Sequence, residues 1–240
     1  MKTSIILIAA LLSFTVSQAQ WGGKKIKGNG NTTTVTRTTS DYDTVDCAGS
    51  FDYLLVAGTE GRITIEGESN LLKYIITEVK DGTLIIKTEQ GKNLNTSRNK
   101  TIKITIPFRD IEAVSLSGSG DLWNEDQINS NNFEATLSGS GDVILNIQSK
   151  NTSGSISGSG DLTINGATQN LSAHVAGSGD FHGFGLKSKN TDVSVIGSGD
   201  AEVVCSGELK ARVTGSGDIK YNGNPIKEDS KVTGSGSIEN

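Results

Sequence analysis

Six aspartates recur through the second half of the chain at near-regular intervals: Asp121, Asp142, Asp161, Asp180, Asp200 and Asp218. Oxygen ligands are what calcium favours, so a row of carboxylates raises metal binding first. If the six stack, neighbours stand about 5 Å apart and repel by roughly 1 kcal/mol per pair even in water. Something must offset that. A cation would do so, and so would backbone N–H groups donated to each carboxylate, the usual reason for Asp in a turn. The turn reading is preferred, because a calcium loop gathers several carboxylates in one short segment and each interval here supplies one. No metal and no cofactor is therefore expected, and these six aspartates are where a metal would be sought.

Other chemistry has little to build on. Two histidines, His174 and His182, fall in successive repeats on different strands, and two imidazoles need further ligands to hold zinc. Paired carboxylates of the kind glycosidases use reduce to Glu125-Asp126 and Glu228-Asp229, each adjacent in sequence and placed in a loop. No GxSxG, HExxH, P-loop or CxxC occurs. No catalytic residue is assigned. A sugar-binding surface would be strengthened by aromatic residues, which are few. Phe181 and Tyr221 fall on alternating inward positions and read as core, leaving Trp123 and Phe184 as the surface candidates for a ligand.

The elements that would carry these residues follow from the spacing. Each aspartate closes a Gly-Ser-Gly-Asp tetrad. The glycine pairs are Gly118 and Gly120, Gly139 and Gly141, Gly158 and Gly160, Gly177 and Gly179, Gly197 and Gly199, and Gly215 and Gly217. A last copy, Gly234 and Gly236, ends in Ser237. Between tetrads the sequence alternates: Val143, Leu145, Ile147 in one unit, Leu171, Ala173, Val175 in another. Period two means strand, with these residues on one side. A polar turn containing Asn or Ser divides each unit into two alternating stretches, and no helical stripe appears.

A helix-free unit of about nineteen residues is too short for a propeller blade and lacks a leucine-rich consensus. It fits one circuit of a parallel β-helix, whose rungs stack about 4.8 Å apart. Right-handed coiling is expected from the parallel-crossover rule. The glycines then form a sharp corner in every rung, where a backbone closed to residues with a Cβ is expected.

Upstream the pattern is less regular. Met1-Lys2, the apolar run to Val16 and the small residues before Gln20 read as a signal peptide over 1–19. Residues 20–40 read as a flexible lead, in which Gly28-Asn29-Gly30-Asn31 resembles a worn copy of the corner. Residues 41–240 form the domain, with irregular early rungs that also cap the coil. Within them Asp81-Gly82 separates two β-rich runs, a hairpin signal. Cys47 and Cys205 lie several rungs apart, too far for a disulfide, and read as buried apolar side chains. Removing Lys2 with the leader takes the formal charge from −5 to −6, which argues against nucleic acid. No segment is long and apolar enough to span a membrane.

The succession of GSGD turns, Asp81-Gly82-Thr83-Leu84, and Tyr221-Asn222-Gly223-Asn224-Pro225 together resemble the head GIN domain family over roughly residues 40–240. Its members are described as autotransporter adhesin head domains. The resemblance implies a pectate-lyase-like right-handed parallel β-helix, no established catalytic site and a role in cell adhesion. The expectation is thus an exported, non-catalytic all-β protein of the periplasm, outer surface or medium, binding a glycan or protein partner. A carbohydrate-active lyase or hydrolase on the same coil is the alternative, as is a structural envelope component. Self-association stays open.

Overall fold

The structure, a computed structural model, describes residues 23–240. The leader expected over 1–19 lies outside them. Among the described residues no helix is long and apolar enough to cross a membrane, and the one helical element is a 3-10 turn at Leu72–Tyr74. The rest is strand and turn, and the repeat half is a parallel β-solenoid.

Each rung lays one strand on a first face and one on a second, and every strand pairs in parallel with its copies above and below. On the first face the register puts Cys47, Leu116, Leu137, Ile156, Val175, Val195 and Val213 in one inward column. On the second face Tyr53, Leu122, Val143, Leu162, Phe181, Ala201 and Ile219 do the same. All fourteen are buried. The period-two alternation read from the sequence is what lines them up, because a one-residue slip would turn every apolar side chain to solvent. Burying each Leu or Ile contributes roughly 1.5–3 kcal/mol. Volumes are matched between rungs too. A Cβ on Gly154 would lie 2.8 Å from the Phe181 ring, so the bare position makes room for that inward aromatic ring.

The corner between the two faces is the Gly-Ser-Gly-Asp tetrad. The carbonyl of its first glycine accepts two N–H groups from the next rung. Ser159 and Gly160 both donate to Gly139 O, at 2.8 and 3.1 Å, and Ser178 and Gly179 repeat this on Gly158 O. The two glycines are required for different reasons. Gly158 has φ +136°, a region that residues with a Cβ avoid. Gly160 does not, and for it the expected backbone reason is replaced by a steric one. A Cβ there would sit 2.0 Å from the Gly141 carbonyl oxygen. Successive corners stack backbone on backbone, with no room for side chains between them.

The N-terminal part departs from the expected flexible lead at 20–40. Lys24–Lys27 pairs in parallel with Lys92–Asn95, and Thr32–Thr38 pairs antiparallel with Arg62–Glu68. These strands escaped the apolar pattern because only Ile26 and Val35 pack on the core. The worn corner is also elsewhere. Gly49 stacks in register beneath Gly118, so the first corner is Gly49-Ser50-Phe51-Asp52, with the buried Phe51 in the third position. Gly28–Asn31 instead lies over Glu68, a carboxylate with no exposed surface. Glu68 accepts from the Ser97 hydroxyl at 2.6 Å, the Ser97 N–H at 2.7 Å and the Gly30 N–H.

Rung order at this end does not follow the chain. The rung made by Thr44–Gly49 and Asp52–Ala57 is flanked on one side by Ala113–Gly118 and Leu122–Asn124. Thr83–Thr88 and Lys103–Phe108 flank it on the other. Outer edges are then covered by antiparallel strands: Arg62–Glu68 against Lys103–Phe108, and Ile75–Lys80 against Thr83–Thr88. The latter is the Asp81-Gly82 hairpin, with φ of +50° and +75° at its two turn residues, as a two-residue primed turn demands. Arg37 ties the covering strands together, donating to the carbonyls of Leu72 and Ile75. All of this shares one core with the repeats. Cys47 and Cys205 are both buried and unpaired.

At the other end, polar residues take over inward positions. Glu228 stacks on Leu209 and Ser230 on Ala211. Glu228 accepts from the Tyr221 hydroxyl and from Ser230, each at 2.9 Å. The last first-face strand, Lys227–Gly234, is exposed throughout, and its charges blunt the open edge.

Two outcomes follow from these contacts. Gly160→Val is expected to destabilise the fold by about 2–3 kcal/mol, as overpacking does, measured by urea denaturation; an unchanged midpoint would remove the stacked-corner account. Hydrogen bonds from Ser97, and then from Gly30, hold the Glu68 carboxyl below the usual carboxylate range. Its contribution is therefore full above about pH 4.3, the unfolded value, and is lost as pH falls through the lower folded value. Protection of the Gly30 and Ser97 amides, relative to their intrinsic exchange rates, should fall on acidification through that window, and Glu68→Gln should flatten the dependence.

Candidate functional site

The corner opposite the tetrad carries an unbroken amide ladder. Asn132, Asn151, Asn170 and Asn190 each stand seven residues before the first glycine of a tetrad, so the repeat period itself stacks them. Asn151 donates to Asn132 at 2.7 Å, Asn170 to Asn151 at 2.8 Å, and Asn190 to Asn170 at 2.9 Å, all Nδ2 to Oδ1. The Glu208 N–H ends the series on Asn190 Oδ1 at 3.2 Å. Beneath it lie buried hydroxyls that bond to one another and to the turn. Ser149 Oγ reaches Thr168 Oγ1 at 3.1 Å, and Thr168 Oγ1 donates to the Asn170 carbonyl at 3.2 Å. Buried polar groups satisfied in this way fix the corner's geometry.

A groove of about 660 Å³ runs beside this ladder on the first face, from Thr44 to Lys210. That path crosses six rung steps, or about 29 Å at about 4.8 Å per step. Its middle rungs present Asn151, Ser153, Asn170 and Ser172, without charge. Glu112 and Glu134 line one end, and Asp192, Glu208 and Lys210 line the other. Lys210 stands 4.0 Å from Asp192, and Lys227 stands 3.9 Å from Glu208. Sequence reading noted polar turns here but not a site. The signal available was the fixed Asn offset, whereas concavity depends on how the rungs stack.

The residues singled out from the sequence lie elsewhere. Neither Trp123 nor Phe184 lines the groove. Trp123 sits on the second face next to Ile144, which is 52% exposed, with the Lys103 ammonium 5.6 Å from its ring centroid. Phe184 is 40% exposed where the strand register shifts between His182 and Lys187. Phe181 and Tyr221 are in the core. Both carboxylate pairs have structural partners: Asp126 accepts the Ala57 N–H at 2.7 Å, and Arg212 pairs with Asp229 at 2.6 Å.

The aspartate column does form, and it begins one rung earlier than the tetrads show, at Asp52. Burial, and to a smaller degree the charge on Asp121, raises the Asp52 carboxyl against a Thr101 hydrogen bond that lowers it. From Asp121 on, each carboxylate accepts the backbone N–H of the next rung's aspartate. Asp161 takes the Asp180 N–H at 2.9 Å, and Asp180 takes that of Asp200 at 2.7 Å. Asp218 takes the Ser237 N–H at 2.6 Å, so the last member needs no aspartate above it. Asp161, Asp180 and His182 each bring one ligand atom to within 4.8 Å of the others. Glu202 lies 3.3 Å from His182 Nδ1.

The family profile described as "Putative auto-transporter adhesin, head GIN domain" matches residues 41–225. The chain belongs to this head GIN domain family. Among solved structures it is similar to a "putative adhesin" of Bacteroides fragilis, with 24% identity and a TM-score of 0.83, covering 90% of this chain and 99% of that one. A "Putative lipid binding protein" of Parabacteroides distasonis is 28% identical with a TM-score of 0.75, at the same coverage. No curated protein matches.

If the aspartates act as N–H acceptors, Asp161→Asn should leave the melting temperature unchanged or raised. The amide oxygen keeps the bond and removes like-charge repulsion. Asp161→Ala should cost about 1 kcal/mol. Millimolar calcium should shift neither protein; a clear rise for the wild type that Asp161→Asn abolishes would make the column a metal site.

Proposed function

We propose that this head GIN domain protein is an exported, non-catalytic binding protein of the cell envelope that holds a partner in the groove along the asparagine corner. The observation that carries the reading is the groove itself, a concave strip backed by a continuous amide ladder. Concave sites with a few placed polar groups are where proteins bind ligands, and a ladder bonded within itself is preorganised, which lowers the cost of binding. Family membership among adhesin heads supports a contact role. A glycan is the ligand class that suits amides and hydroxyls displayed on successive rungs. The expected signal peptide supports export.

Catalysis is not favoured. The carboxylate pairs that could have served a glycosidase take structural bonds, and the groove's carboxylates sit towards its two ends with an uncharged stretch between them. The related Parabacteroides protein named as lipid binding points to a different ligand, but the side chains lining the groove here are mostly amides, hydroxyls and charged groups, and its inward aromatic, Phe133, is buried.

The test is a glycan array probed with the fluorescently labelled mature chain. Ser172 is exposed on the groove floor, so Ser172→Trp should fill the groove and weaken binding about ten-fold or more, about 1.4 kcal/mol, at an unchanged melting temperature. An array silent to the wild type, or binding indifferent to Ser172→Trp, would remove the groove from the account.

A further inference from the structure

We infer that the groove selects an uncharged, linear, β-linked glycan lying along the coil axis, with about one sugar ring per rung. The inference rests on the groove being the binding surface and narrows what it takes.

Spacing gives the direction. Rungs about 4.8 Å apart repeat the amide from Asn132 to Asn190, with the Ser153 and Ser172 hydroxyls beside it on the two middle rungs, and an extended β-1,4-linked chain advances by close to one rung per pyranose. A chain lying across the coil would meet one rung's set only. The six rung steps of the groove then hold about five or six sugars.

Hydrogen-bonding capacity gives the chemistry. A primary amide has two donor hydrogens and two acceptor lone pairs. Within the ladder, Asn151 and Asn170 each donate one hydrogen to the preceding asparagine and accept one from the next. One donor and one acceptor per rung are left over. A sugar hydroxyl is both donor and acceptor, so it can engage both, whereas a carboxylate can only accept and a lysine can only donate. The neighbouring Ser153 and Ser172 hydroxyls adapt to either role. Without an exposed aromatic platform, no single rung can bind strongly, and affinity must accumulate along the chain.

Charge gives the exclusion. Four carboxylates and one ammonium line the groove: Glu112, Glu134, Asp192 and Glu208 against Lys210. Lys150 and Lys189 precede Asn151 and Asn190 in sequence and are outside the lining. Each carboxylate within about 4 Å of a uronate repels it by a factor of about five in water. Acidic polysaccharides are thereby disfavoured most at the end lined by Glu112 and Glu134, because Lys210 and Lys227 pair with Asp192 and Glu208 at the other.

Calorimetric titration of the mature chain at low ionic strength tests this. The probes are β-1,4-linked oligomers of glucose and of N-acetylglucosamine, from two sugars to about six, and oligogalacturonate of matched length. Affinity for the uncharged series should climb with each added sugar and level off at about six. Oligogalacturonate should bind about ten-fold more weakly, and added salt should narrow that gap, because salt screens exposed charges. Ser172→Trp should abolish the length dependence. Oligogalacturonate binding as well as or better than the uncharged series, with Ser172→Trp blocking it, would overturn the ligand class and leave the groove as the site. Affinity that stays flat with length would overturn the axial placement. Failure of every oligomer to bind, or binding that Ser172→Trp leaves untouched, would overturn the groove reading and this inference with it.

Discussion

Everything in this coil depends on a carbonyl that serves two donors. At each tetrad the first glycine's oxygen accepts the N–H of the serine and of the second glycine one rung on, from Gly49 through Gly215. Two backbones can come that close only if neither carries a side chain on the facing side. The first glycine also holds a φ near +130°, which lets the chain leave one face and enter the next. Once the corners are locked at that spacing, the register of both faces is fixed, and with it the columns of Leu, Ile and Val inside. The aspartate adds a second thread on the same corner, its carboxylate taking the next N–H along.

Rigid stacking at one corner has a consequence at the other. Because every rung is held in register, any residue at a fixed offset from the tetrad is displayed as a straight row. The asparagines use that directly. Their amides bond to each other without competing for the backbone, and the serines beside them are held at rung spacing. The coil thereby separates its tasks between an inaccessible backbone corner that sets the frame and an exposed polar corner that the frame presents. Membership of the adhesin head family agrees with a protein built to display a surface.

Much of this could be read from the residues. The period of the tetrad gave the rung, alternation gave the inward columns, and Phe181 and Tyr221 were placed inside by parity alone. Three features were hidden for physical reasons. The first corner has Phe51 where later rungs have glycine, because the neighbouring rung on its far side has no tetrad to stack there, so the tetrad pattern does not mark it. The rung of residues 44–57 lies between two later segments, since a strand edge pairs with whatever segment covers it and sequence order does not constrain that choice. The strand at Thr32–Thr38 is held by Arg37 and by pairing with Arg62–Glu68, not by an apolar stripe. The groove was legible only as a recurring Asn, because its concavity belongs to the stack and to no single unit.

Hydrogen exchange at the corner amides tests the central claim most directly. Ser140, Ser159, Ser178 and Ser198 each donate to the first glycine of the preceding rung, at 2.8 or 2.9 Å. If these bonds hold the coil, the four amides exchange only by global unfolding, with protection matching the denaturation free energy. Exchange at these amides as fast as at exposed loop positions, while the inward strand amides stay protected, would show that the faces hold together without the corner and would contradict the account.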